Sequence, residues 1–196
     1  MTASRALTLA DILPPEDYAR DRAKWKREIG AIKRDRRVAV GPHVTFYFES
    51  RDTMWLQVQE MIHIEKGGMA QAPDELAAYN PLVPNGAELT ATFMVEIDDP
   101  IRRKTVLDTL GGIENTAFLR VGGETVMGQA EADQDRTRED GKASSVQFVH
   151  FPLTPAQIAA FRSGTGEVIL GFSHPRYGHM TVLPITARAA LGKDFA

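Results

Sequence analysis

The chain has 196 residues, 43% of them hydrophobic, which is enough to fill one core and short for two ordinary domains. A formal charge of −3 offers no global attraction to nucleic acid or anionic membranes. Cysteine is absent, which excludes disulfides, thiol nucleophiles and any cysteine-ligated cluster, so a metal such as Zn or Fe would need histidine and carboxylate ligands.

Met1 to Arg20 lacks the apolar core of a secretion signal, and no run approaches the roughly 20 apolar residues of a membrane span. A soluble, cytoplasmic protein without membrane partners is expected. Pro14-Pro15-Glu16-Asp17 reads as a helix start, with fixed-φ prolines ahead of the first turn and two acids at the positive end of the macrodipole. The spacing predicts an N-terminal basic helix over 15–35, with Tyr18, Trp25, Ile29 and Ile32 on one stripe. Between Arg20 and Arg37 nine Lys or Arg face three acids. Such a run is ordinarily a solvated face; as a docking surface for an acidic partner it would use Arg20, Lys24, Arg27 and Arg34. No aromatic interleaving or recognition-helix pattern points to nucleic acid.

A mixed, β-rich body is expected over 37–186. Residues 37–48 read as two short strands around a Gly41-Pro42 turn. Ser50 caps a helix carrying Met54, Val58, Met61 and Ile62 at helical spacing, ended by Gly67-Gly68. Trp55 and Met61 are expected in the core or at an interface, with Glu60 turned toward a polar cleft or the basic helix. A short helix at 74–79 and a loop-rich connection precede a strong strand at 88–97. Asp99-Pro100 opens a helix that closes at Gly111-Gly112, and 116–121 with 124–129 form a hairpin around Gly122-Gly123. The polar stretch 131–141 reads as an exposed loop or mobile lid. A strand at 145–151, a helix capped by Thr154-Pro155, strands at 167–172 and 180–183 and a short C-terminal helix complete the chain. The fold class expected is α+β: one domain, a largely antiparallel sheet of about seven to nine strands, and helices packed on it.

Chemistry centres on histidine. His150, His174 and His179 stand at strand ends or in the loop between the last two strands, and His174 and His179 should flank a hairpin turn. If the strands ending near His150 and Phe172 were parallel and joined by a right-handed crossover, all three would meet at one sheet edge. Such a site would suit zinc or iron with a carboxylate, or acid–base work. If those strands are antiparallel, the cluster dissolves. Glu60-x-x-His63 is half of a di-iron pattern, but no second copy exists. Gly141-Lys142 lacks the upstream glycine and following helix of a phosphate loop, and Asp133-x-Asp135 lacks the sixth-position glycine of a calcium loop. Arg136 and Lys142 remain as anion-binding candidates. No Gly-x-Ser-x-Gly elbow is present.

Several runs together resemble an uncharacterised bacterial family, domain of unknown function 3501. They are Arg37-Val-Ala-Val-Gly-Pro, Asp52-Thr-Met-Trp, Glu60-Met, Ile64-Glu-Lys-Gly-Gly, Asp74-Glu-Leu-Ala-Ala-Tyr-Asn-Pro, Gly141-Lys-Ala-Ser-Ser-Val-Gln-Phe and His174-Pro-x-Tyr-Gly-His. The resemblance spans essentially the whole chain and implies no established activity. It does imply a setting beside rubrerythrin-like and iron-sulfur redox proteins, in oxidative-stress or electron-transfer metabolism. The leading expectation is therefore an accessory or binding protein of a redox system. A small metal- or His-dependent enzyme using His150, His174 and His179 is the alternative, and a homodimerisation module built on the Trp55 helix is a third reading.

Overall fold

The computed structural model describes residues 5–131 and 143–196. The elements in chain order are α1 (Pro15–Arg34), β1 (Arg37–Val40), β2 (Val44–Phe48), α2 (Arg51–Glu65), α3 (Ala72–Tyr79), β3 (Glu88–Val95) and α4 (Pro100–Leu107). There follow β4 (Ala117–Val121), β5 (Glu124–Met127), β6 (Gln129–Ala130), β7 (Val146–Pro152), α5 (Pro155–Arg162), β8 (Ile169–Phe172), β9 (Met180–Val182) and α6 (Ile185–Leu191). The N-caps of α2 and α5 are those the sequence calls for, whereas α2 and α4 end before the glycine pairs at 67–68 and 111–112. Ser50 opens α2 by accepting from Thr53 N, and Thr154 opens α5 by accepting from Gln157 N. Helix α2 stops at Glu65, where Lys66 turns left-handed.

The strands form two antiparallel sheets instead of the single sheet expected. One has the order β1-β2-β3-β7-β6 and the other β5-β4-β8-β9. Their inner faces share one core, in which Phe46 lies 5.3 Å from Phe93 and 5.1 Å from Phe172 between ring centroids. The switch between sheets occurs at Gly128, whose N–H donates to Ala117 O at 2.8 Å. A Cβ there would lie 2.5 Å from Val149 Cγ2, so a side chain would jam the corner. The fold class is α+β, with the nine strands of the described residues divided at this corner.

The outer face of the five-stranded sheet carries the N-terminal helices. Met54, Val58 and Ile62 of α2 pack with Leu76 of α3 and with Leu7 and Ile12, while Leu56 packs with Tyr18 and Ile29 of α1. Half-buried Trp55 joins both clusters, its ring edge-on to Tyr18 and Trp25, and its Nε1 donates to Asp11 O at 2.8 Å. Ile32 falls off the predicted stripe and is exposed. Among the described residues, no helix is long and apolar enough to cross a membrane.

Candidate functional site

Residues 48–53 carry the chain from a strand into α2, and this short passage builds a polar floor. Glu49 N–H still reaches Thr90 O at 2.8 Å, so its backbone continues the ladder to β3. Its side chain sits beside the α2 N-terminus. Thr53 Oγ1 donates to Glu49 Oε2 at 2.6 Å and Thr92 Oγ1 to Glu49 Oε1 at 2.8 Å. The residue is only 7% exposed. Behind it lies Arg36, also buried, whose Nε donates to Phe48 O at 2.9 Å and Nη2 to Glu49 O at 2.5 Å. The same guanidinium takes both carboxylate oxygens of buried Asp194. Burial outweighs that pairing and leaves the Asp194 carboxyl above its ordinary range.

Outward-facing residues of the central strands complete a cavity of about 230 Å³ above this floor. Tyr47, Met94, Val146 and Phe148 alternate with core residues and stay half-buried, for the helices do not close over them. Met54 and Gln57 of α2 and Tyr79 of α3 form one wall, and Lys33 stands at the α1 end. Gln57 Nε2 donates to Tyr79 OH at 3.4 Å, while Tyr47 OH donates to the carboxylate of Glu96. Burial pushes the Tyr47 phenol up, with Glu96 adding to the shift. An apolar slot with a few convergent polar groups has the make-up of a small-molecule site.

A family profile described as "Protein of unknown function (DUF3501)" matches residues 6–195. The chain belongs to the DUF3501 family. It is also similar to a protein of unknown function from Burkholderia pseudomallei K96243, known from a crystal structure, with a TM-score of 0.90 and 34% identity over 97% of this chain and 100% of that one. No curated protein matches.

The DUF3501 fold separates the predicted histidines. His150 lies within β7 on the five-stranded sheet, whereas His174 and His179 lie in the β8–β9 connection on the other sheet. The parallel crossover that would have gathered them does not form, because β7 and β8 pair antiparallel with different partners. The hairpin itself does form. Both ring nitrogens of buried His174 serve the backbone: Nε2 donates to Gly111 O at 3.2 Å and Nδ1 accepts from Arg176 N at 3.2 Å. His179 packs edge-on against Tyr177, 4.6 Å between centroids, over Gly41. Tyr177 OH in turn accepts from His43 N and Val44 N and donates to Val40 O. The Pro-x-Tyr-Gly-His run thus seats the β1–β2 turn. Among the described residues, no group of three or more His, Asp or Glu is arranged to hold a metal.

His150 has other company, with Nε2 2.9 Å from Glu131 and Nδ1 3.3 Å from Glu88. Glu88, and then Glu131, raise its pKa above the ordinary imidazole value against the opposing effect of burial. Glu60 turns toward the basic helix, as expected. Arg22 grips both its oxygens at 2.7 and 2.8 Å, Tyr18 OH donates to it, and Lys26 lies 3.3 Å away. Arg22 above all holds the Glu60 carboxyl at about 2, with Tyr18 and Lys26 assisting and burial opposing. His63 meets the Tyr18 ring edge-on instead of joining Glu60.

The basic run divides by role. Arg22 and Lys26 pair with Glu60, Arg36 is buried, and Lys33 lines the cavity. Among the docking candidates, Arg20 pairs with Asp17 and Asp21, and Lys24 lies over the Trp25 ring at 4.9 Å. Arg27 and Arg34 are exposed. Arg136 and Lys142, with the 133–135 acids, lie outside the described residues. Sequence patterns did not single out Glu49, Thr92 or Arg36. The available signal was polar residues inside apolar strand runs, Thr90 and Thr92 above all, next to a glutamate immediately before a helix cap.

Proposed function

We propose that this DUF3501 chain is a small-molecule binding protein whose site is the cavity between the outer face of the five-stranded sheet and α2. The supporting observation is the joining, in one cavity, of apolar walls from Met54, Met94 and Phe148 with a buried polar floor at Glu49. A cavity of about 230 Å³ falls below the roughly 300–1,000 Å³ usual for drug-sized ligands, so it suits a single ring or a short chain. Binding is also the coarser part of the accessory-protein expectation. A place in a redox system is supported by the family resemblance alone.

Ligand-observed NMR with one-ring fragments, benzylamine, benzyl alcohol and benzoate among them, tests the reading. At least one should bind with a Kd of about 1 mM, or roughly 0.5 kcal/mol per heavy atom, well within the ceiling for small ligands. Met94→Trp, which fills the cavity from a half-exposed position, should abolish that binding without unfolding the protein. Absence of binding by every fragment, or binding indifferent to Met94→Trp, would overturn the proposal.

A further inference from the structure

Resting on that cavity reading, we infer that Glu49 is its recognition residue and that the ligand carries a protonated amine on an apolar body of about one ring. Glu49 is 93% buried by its 7% exposure, yet the groups that meet its carboxylate are two hydroxyls, Thr53 and Thr92. Among the described residues no Lys, Arg or His stands in ion-pair contact with it, in contrast to its neighbour Asp194, which has Arg36, and to Glu60, which has Arg22 and Lys26. Arg36 touches Glu49 through the backbone carbonyl and directs its charge to Asp194.

The α2 N-terminus adds partial positive charge but no full counter-ion. Buried carboxylates are ordinarily paired with a cation. Glu49 and Thr92 both line the cavity, which is where such a cation would stand, and the two threonine hydroxyls fix the carboxylate's orientation. An ammonium group entering from the Met94 and Phe148 side would supply the missing charge while its body takes the apolar walls. Lys33, at the α1 end of the same cavity, defines the competing chemistry: a carboxylate ligand would go to it instead.

The test measures Kd for benzylamine, benzyl alcohol and benzoate on wild type and Glu49→Gln. Benzylamine should bind wild type roughly 10- to 100-fold tighter than benzyl alcohol, the range of a hydrogen bond to a charged group. Glu49→Gln should bring the two within about twofold. Should that variant fail to fold, the Glu49 carboxyl ¹³C resonance of wild type carries the decision: benzylamine should move it and benzyl alcohol should not. An amine no tighter than the alcohol, benzoate as the tightest of the three, an amine preference that survives in Glu49→Gln, or an unmoved carboxyl resonance would each overturn the inference while leaving the cavity as a binding site. If none of the three binds at 10-fold above the expected millimolar range, the cavity reading falls with it.

Discussion

On the inner face of the five-stranded sheet Phe46, Phe93 and Phe151 are fully buried, Phe46 and Phe93 meeting Phe172 of the other sheet and Phe151 meeting Phe46, whereas on the outer face Tyr47, Met94 and Phe148 of the same three strands stay half-buried beside Glu49, Thr92 and His150. The strands are shared; what differs is the cover. A second sheet packs against the first and fills the space between them, so the inner side is dense and apolar. The helices meet the outer side along part of its length and leave a gap at the Met94 end. Polar groups collect around that gap, tied to one another by hydrogen bonds, and the gap is the cavity. Stability is concentrated on one face and the candidate site lies on the other.

If that division holds, Phe93→Ala should cost about 4 kcal/mol in urea unfolding, as expected for a fully packed aromatic, and Met94→Ala, its immediate neighbour on the opposite face, about 1 kcal/mol or less. Equal losses would erase the contrast. Glu60→Gln should cost about 2 kcal/mol, through the bonds from Arg22 and Tyr18. Because the folded Glu60 carboxyl lies near 2, below its unfolded value, this contribution is complete above about pH 4.5 and fades as the pH falls toward 2. Wild type and variant should therefore converge in acid. The smallest effect belongs to His150, whose folded pKa is raised by Glu88 and Glu131. Its contribution is complete below about pH 6.5 and is lost as the pH rises through the folded value, so His150→Gln should flatten the stability profile above about pH 6.5 by less than about 1 kcal/mol. A profile that stays as steep in the variant would assign the slope elsewhere.

Most elements were legible in the sequence because their signals are local. Proline at the start of α1, Ser50 and Thr154 as caps, and the alternation in 44–48 act over a few residues. The division into two sheets was not legible: 124–129 reads as one strand, and the clash that reserves the corner for Gly128 comes from Val149, on a different strand. The site was hidden for the same reason. Thr92 meets Glu49 across 43 residues through the β2–β3 register, and Glu88 meets His150 across 62. Histidines are conspicuous in a sequence, so they drew the functional reading, while a glutamate ahead of a helix cap looks like an ordinary flank.

The Tyr177 hydroxyl bears on the order of folding. Its three hydrogen bonds reach residues 133 to 137 positions away, and closing a loop of that length costs roughly 4 kcal/mol of chain entropy beyond a constant, by the logarithmic scaling. Local hairpins and helices return their contacts for far less, so this junction between the two sheets is expected to form last, after the barrier is crossed. Contacts made that late set how long the native state lasts and have little influence on how quickly it is reached. In stopped-flow measurements Tyr177→Phe should accordingly accelerate unfolding and leave the folding limb nearly unmoved, which makes this one phenol a fastener of lifetime.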